Sequence, residues 1–220
     1  MRHQPRELLA RHPHRRAFAT LVLAGGYVEA GDVGRHRVQA GDVLLHQAWE
    51  SHLDRFGDRG AEVLVLDIAD DDASRPAGRV ADADAIVRLA ERDAAAAGRA
   101  LLAQLEPKPG TQDWPDVLAE RLGGEPNLCL GDWASRHGLR LGSVSRGFKQ
   151  AYGVAPLRFR LVQRTRRAIE ALRRAADPLS QVAQDCGFAD QAHMCRAIRS
   201  LTGTTPAALR RDGGRAVIET

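Results

Sequence analysis

The sequence predicts an α+β protein, with strands gathered in its first third and helices filling its carboxy-terminal part. Three observations predict it: short aliphatic runs broken by turn residues up to about residue 75, helical periodicity from residue 82 onward, and a segment near the carboxyl end that repeats one about fifty residues upstream. At 220 residues the chain has room for one large domain or two small ones, and two are expected. An apolar fraction of 44% and a charged fraction of 27% match an ordinary globular protein. No run of about 18 uncharged apolar residues is present, so no membrane partner is expected. The opening "MRHQPRELLARHPHRRAF" lacks the apolar stretch of a secretory signal, which points to the cytoplasm. Cys129, Cys186 and Cys195 are an odd set without CxxC spacing, which fits free thiols better than a disulfide framework or a cysteine zinc site.

The strand-like runs come first. "FATLVLAGGYVEA", "RHRVQAGDVLLH" and "AEVLVLDIA" are punctuated by Gly-Gly, Ala-Gly-Asp and Asp-Arg-Gly, the pattern of hairpins in a small barrel or sandwich of about six strands. "AGG", Ala24 to Gly26, follows a strand and opens no helix, so it reads as a hairpin turn. Residues 1–75 are therefore expected to form one domain. From Asp82 to Leu105 the pattern is helical, with Ile86, Leu89, Ala90, Leu101 and Leu102 on or near one face. "EPKPGTQDWP" breaks it, "DVLAERL" is a further short helix, and "GGEPN" marks a boundary, so residues 76–127 are expected to be a helical linker.

From Leu128 every segment is helical, and each stops at glycine or proline. Residues 128–215 form the third expected unit, and its charge differs from the rest. Leu128 to Thr220 holds 16 Lys+Arg against 7 Asp+Glu, a net +9, whereas Met1 to Asn127 holds 16 against 21, a net −5. So basic a segment suits a polyanion, because cations gain by releasing counterions from phosphates.

The two halves of the basic segment repeat each other. At an offset of fifty, Val144 meets Met194, Arg146 meets Arg196, Phe148 meets Ile198, Gly153 meets Gly203 and Pro156 meets Pro206; upstream, at forty-nine, Ala134 meets Ala183 and Gly138 meets Gly187. Each copy has the parts of a helix-turn-helix: a small residue where helices cross, a glycine four residues on for the tight turn, and apolar residues at i and i+4 of the second helix. The residues left to face outward are Arg140, Ser143, Ser145, Arg146 and Lys149 in the first copy, and Gln191, Cys195, Arg196 and Arg199 in the second. Arginine pairs bidentately with guanine and glutamine with adenine, so these types suit the major groove of double-stranded DNA. Asp190 is placed to cap the second reading helix, and Asp177 with Pro178 starts the helix before it. Between the copies lies the 19-residue "LRFRLVQRTRRAIEALRRA". As a helix it spans roughly 28 Å, comparable to the roughly 34 Å between successive major grooves on one face.

This pair of motifs resembles the DNA-binding domain of the AraC/XylS family of bacterial transcription regulators. The likeness covers about Leu128 to Arg211 and is carried by "CGFADQAHMCRAIR" followed by "GTTP". It implies promoter binding through two helix-turn-helix units joined by a long helix, with RNA polymerase as a frequent partner. It also implies base contacts at Ser145, Arg146, Gln191, Cys195 and Arg196, and a packing or phosphate-facing place for His193. The chain departs from the family where Arg140 replaces a small capping residue, where Met194 replaces phenylalanine, and at Gly142 and Gly147, each of which weakens its helix by about 1 kcal/mol relative to alanine. The second unit is therefore expected to supply most specificity.

The amino-terminal stretch resembles the small cupin-type β-barrel commonly attached to such domains, on Gly41 and Asp42 before an apolar strand and His52 about ten residues on. The likeness implies an effector, a small molecule or a metal. Tyr27 and Trp49 are candidate lining for a ligand, with ordinary core positions as the alternative. His12, His14, His46 and His52 are candidate ligands for a divalent transition metal, with "RHPHRR" as a solvated arm the alternative. The glutamate usual after such a His-x-His pair is missing from its expected place.

The leading reading is a one-component regulator that is not an enzyme; a second copy of the chain is a further candidate partner. The alternatives are a metal-dependent cupin enzyme with a helical appendage and a DNA-binding protein without sequence preference. No Ser-His-Asp arrangement, phosphate-binding glycine loop or dinucleotide fingerprint stands out.

Overall fold

The computed structural model describes residues 1–69, 76–110, 112–174 and 177–212, so the expected domain ends at 75 and 215 lie outside the described residues. The chain divides into two compact units, Met1–Val117 with Gln150–Gly153, and Leu118–Lys149 with Val154–Thr220.

Among the described residues the first unit holds eight strands: β1 (Arg2–His3), β2 (Leu8–Pro13), β3 (Phe18–Gly31), β4 (Gly34–Gln39), β5 (Asp42–His46), β6 (Ser51–Asp67), β7 (Ala77–Arg79) and β8 (Glu106–Pro107). They make one antiparallel sheet in the order β1-β6-β3-β5-β7-β8, with β2 added on β6 and β4 on β3. Among the described residues no ladder joins the ends of that path, so the sheet is open where a small barrel was expected over residues 1–75. The reason lies in β3 and β6, 14 and 17 residues long, which pair with each other throughout and take different outer partners along their two halves. Their ladder shifts register between Val22 and Ala24 and again between Gly25 and Tyr27. Such bulges bend a strand and sharpen its twist. Gly25, at φ +71°, allows the bend: a Cβ there would fall 2.1 Å from the Gly60 carbonyl oxygen. "AGG" therefore lies inside β3 as a bulged bend and is not the hairpin turn expected.

Strand alternation sorts side chains onto the two faces of the sheet. Ala19, Leu21, Val43, Leu45 and Leu66 pack on one side with Val80 and with Ile86, Ala97 and Leu101 from helices α1 (Ala83–Ala90) and α2 (Ala94–Ala103). Val22, Tyr27, Val38, Leu44, Phe56, Ala61 and Val63 form a second cluster with Ala77. Each large apolar side chain so buried is worth about 1.5–3 kcal/mol. The helical stretch expected over 82–105 is thus two helices, separated where Asp93 accepts a hydrogen bond from the Ala96 N–H at 2.9 Å and starts α2. With β7 and β8 in the sheet, residues 76–107 are part of the first unit's core rather than a separate linker. Helix α3 (Trp114–Gly124) follows.

The second unit holds α4 (Leu130–Arg136), α5 (Leu141–Tyr152) as far as Lys149, α6 (Pro156–Arg174), α7 (Leu179–Asp185), α8 (Gln191–Thr202) and α9 (Pro206–Asp212). The sequence repeat is also a repeat of hydrogen bonds. After α4, Gly138 takes φ +65° and the Leu139 N–H donates to the Ala134 carbonyl at 2.9 Å; after α7, Gly187 takes φ +76° and the Phe188 N–H donates to the Ala183 carbonyl at 2.9 Å. Both alanines are buried, and each following helix sinks an i, i+4 pair, Val144 with Phe148 and Met194 with Ile198. Helix α6 packs against α7, α8 and α9 through a buried row that includes Thr165, Ala168, Ile169 and Leu172, and Phe159 meets Phe148 edge-on with ring centroids 5.3 Å apart.

The two turn glycines differ in their surroundings. A Cβ on Gly138 meets nothing within 4 Å, whereas one on Gly187 would fall 2.9 Å from the Pro126 Cβ. Gly138→Ala is expected to cost only the left-handed backbone penalty, about 1–2 kcal/mol. Gly187→Ala should cost measurably more, and chemical denaturation followed by helix circular dichroism would check the order.

Candidate functional site

Two places in the chain assemble candidate chemistry. In the second unit it is the outer face of α5 and α8. Arg140, Ser143, Arg146, Lys149, Gln191, Arg196 and Arg199 are exposed, and Ser145 and Cys195 are half-buried. These side chains face outward because the buried pair of each helix takes the inward positions. Helix α8 is firmly started: the Asp190 carboxylate accepts from the His193 N–H at 2.6 Å, and Gly203, at φ +75°, closes the other end. His193 is half-buried against Phe188, ring centroids 5.3 Å apart. Helix α5 begins beside Arg140, which offers no short oxygen side chain to cap it.

The basic charge of this unit is not all alike. Arg160 and Arg164 of α6 both donate to the Pro126 carbonyl, Arg160 at 3.4 Å. Burial lowers both guanidinium pKa values from their usual range, the neighbouring arginines adding to the effect at Arg164. Arg210 donates to the Asp177 carbonyl at 2.6 Å, and Arg174 pairs with Glu170 at 2.7 Å. These cations tie the fold together. Those of α5 and α8 are exposed.

In the first unit a cavity of about 500 Å³ opens on the sheet face that carries Tyr27, Phe56 and Val63. Leu9 and Phe18 extend its apolar wall, and His12, His14, His52 and Asp54 supply a polar corner. Tyr27 lines this cavity and Trp49 does not. Trp49 acts through its backbone: its N–H donates to the His14 carbonyl at 2.6 Å, while the His14 N–H donates to the Glu50 carbonyl at 3.1 Å. Trp49 sits at φ +65°, a left-handed conformation that a residue with a large side chain rarely adopts, so the loop is strained where it grips His14.

The histidines converge because β2 and β6 pair in a register that sets His12 opposite His52. His14 Nε2 lies 2.9 Å from His12 Nε2 and 2.9 Å from His52 Nε2. His12 Nδ1 faces the Ala10 carbonyl at 2.8 Å, and His52 Nδ1 faces Asp54 at 3.0 Å and Glu29 at 3.2 Å. His46 stands apart from His12 and His14: it stacks on Phe18 at 4.3 Å and groups with Glu29 and His52 on the buried side. The four expected histidines are therefore three that share one point and a fourth behind them. Burial, and then the nearby His52 and His12, hold His14 down to about 4. At His52 burial opposes the charged form, but hydrogen bonds to Asp54 and Glu29 outweigh it and carry the ring up to about 10. Burial lifts Glu29 to about 7 and pushes His46 well below the ordinary histidine range.

Asp54, Phe56 and Glu29 were not among the residues singled out from the sequence. A signal existed for two of them, since His52, Asp54 and Phe56 alternate along one face of β6. Glu29 needed the β3–β6 register, which places it opposite Asp54.

A family model described as a helix-turn-helix domain matches residues 133–212. Among solved structures, the chain is similar to a transcriptional regulator of the AraC-type DNA-binding-domain proteins from Chromobacterium violaceum, 24% identical over 45% of this chain and 90% of that one, with a TM-score of 0.42. It is similar to the DNA-binding domain of AdpA in complex with a target DNA, 24% identical over 49% of this chain and all (100%) of that one, at a TM-score of 0.43. ToxT from Vibrio cholerae O395 is similar over 98% of this chain and 96% of its own, at 11% identity and a TM-score of 0.46. Likenesses at these scores decide no feature of either site. No curated protein matches the chain. Among the described residues no helix is long and apolar enough to cross a membrane.

The α8 start depends on one carboxylate. Asp190→Ala is expected to destabilise the second unit by about 1 kcal/mol and to fray the first turn carrying Gln191, read as faster amide exchange at Ala192 and His193.

Proposed function

We propose, from a carboxy-terminal region that a helix-turn-helix family model matches over residues 133–212 and that resembles the AraC/XylS family, that this chain is a sequence-specific regulator of transcription. In this reading it binds promoter DNA through α5 and α8 and senses an effector through its first unit. The observation that carries the reading is the doubled helix-turn-helix: two turns with the same hydrogen bond and the same positive-φ glycine, each followed by a helix that buries an i, i+4 apolar pair and exposes arginine. Arg146 and Arg196 occupy equivalent places in the two helices and have no ion-pair or hydrogen-bond partner among the described residues. Guanidinium groups in that position suit the O6 and N7 acceptors of guanine. Ser143, Ser145, Lys149, Gln191, Cys195 and Arg199 flank them as further groove or phosphate contacts, with Arg140 at the entry to α5.

The unequal starts of the two helices support a division of labour. Helix α8 has a carboxylate cap and α5 begins at Arg140 with Gly142 and Gly147 inside it, so α8 holds its side chains in a narrower set of positions. The effector reading is supported by the cavity in the first unit, apolar on its walls and polar at one corner. An effector acts on DNA binding only through different affinities for two states of the protein. RNA polymerase and a second copy of the chain enter as partners through family resemblance alone, the cytoplasm is the compartment in which such a regulator would work, and no catalytic role is proposed.

Footprinting with the full chain tests the reading, which expects a protected site covering two major-groove turns. Uniform weak protection along the duplex would favour a binder without sequence preference. Arg196→Ala should cost about 1–3 kcal/mol of specific binding and relax preference at one base position. Arg146→Ala should cost less, and the reverse order would exchange the roles of the two units. Log affinity should fall steeply with log salt, and Lys149→Ala should reduce the slope by about 1.

A further inference from the structure

We propose that the Nε2 atoms of His12, His14 and His52 form a three-imidazole site for a divalent transition metal of the zinc class, open on its remaining side to the cavity, and that this ion is the effector. The effector role rests on the regulator reading above; the site does not.

The site begins with a shortage of protons. A carbonyl oxygen only accepts, so the His12 Nδ1 facing Ala10 O at 2.8 Å must carry its hydrogen, which leaves His12 Nε2 a lone pair. The Asp54 carboxylate 3.0 Å from His52 Nδ1 makes the same demand, and in the neutral form that a metal ligand takes His52 likewise turns a lone pair outward from Nε2. Both lone pairs point at His14 Nε2, 2.9 Å from each, and that nitrogen has at most one hydrogen to offer. One contact is then a lone pair against a lone pair at hydrogen-bond distance. A cation among the three nitrogens satisfies them all at once, with neither tautomer changed.

The surroundings fit a metal ion. The donor atoms lie within 4.8 Å of one another. Nitrogens on a tetrahedral ion at 2.0–2.1 Å sit about 3.3 Å apart, so seating one opens the 2.9 Å contacts by a few tenths of an ångström. Three imidazoles suit zinc and its first-row neighbours. Ala10 O and Asp54 fix the ring orientation of two ligands from behind, as outer partners of metal-bound histidines do. The third, His14, is clamped through its own backbone by Trp49 and Glu50 and through its ring by Phe18, centroids 4.5 Å apart. Glu29 and Asp54, 2% and 4% exposed, place two buried carboxyl groups behind His52. His46, grouped with Glu29 on the far side of His52, is left out of the ligand set. Because His12, His14 and His52 also line the cavity, the free side of the ion faces the space framed by Leu9, Tyr27 and Phe56.

The test uses the full chain purified without a histidine tag, stripped with chelator, and loaded with Zn²⁺ or Co²⁺. One equivalent of metal per chain and the visible absorption of four-coordinate Co²⁺ are expected. His12→Ala and His52→Ala should abolish both while thermal melting and circular dichroism report an intact fold. Asp54→Asn, which touches only the back of His52, should keep the stoichiometry and weaken affinity about 10–100-fold. DNA affinity of the wild-type chain should shift at least about fivefold between stripped and loaded states, and His52→Ala should lose that shift. Failure to hold metal in a chain that still footprints a defined site overturns the metal site and leaves the regulator standing. Stoichiometric metal with unchanged DNA affinity overturns the effector role. Stoichiometric metal in a chain that protects no defined site leaves the ion in place and removes the regulator.

Discussion

The second unit depends on one local constraint met twice. A helix must end, reverse and hand its next residue's N–H back to the carbonyl of a buried alanine, and only a residue free to adopt positive φ makes that reversal in so few steps. Gly138 and Gly187 do it with the same angle to within about ten degrees and the same 2.9 Å hydrogen bond. Everything outward follows. With the entry angle of the next helix set, the pairs Val144 with Phe148 and Met194 with Ile198 reach the core, and Arg140, Arg146, Lys149, Gln191, Arg196 and Arg199 stay exposed.

Net charge alone would overstate the reading surface. Part of the excess positive charge in the carboxy-terminal region is spent on carbonyls and on a neighbouring glutamate, as at Arg160, Arg164, Arg174 and Arg210. Burial makes the first two poor candidates for reaching a phosphate. The distinction matters physically, because counterion release counts only those cations that approach the nucleic acid. The cations on α5 and α8 are exposed.

In the first unit the same sheet does two jobs on its two faces. One is covered by α1 and α2 and closed by aliphatic packing; the other keeps a cavity because its large side chains, Tyr27 and Phe56, meet a polar corner that cannot collapse onto them. The corner is costly to assemble. It buries carboxylates and imidazoles together and holds Trp49 in a left-handed conformation next to His14. Polar groups so placed exist at the expense of stability, and strain concentrated beside them is what a binding site leaves in a fold.

The sequence by itself determined the helix-turn-helix pair, down to which residues turn and which sink, while Ser145 and Cys195, expected to face outward, are half-buried. Its signals act over short range: a glycine at a fixed step from a small residue, an i, i+4 apolar pair, an aspartate before a helix. It also determined that the first part is made of strands. Only the tertiary structure decided that the sheet is open, that "AGG" is a bend, that residues 76–107 belong to the core, that Trp49 works through its backbone, and that His46 parts from the other histidines. The physical reason is that strand chemistry is read across a ladder. His12 meets His52, and Glu29 meets Asp54, through registers that bulges reset, and each one-residue shift turns every later side chain to the opposite face.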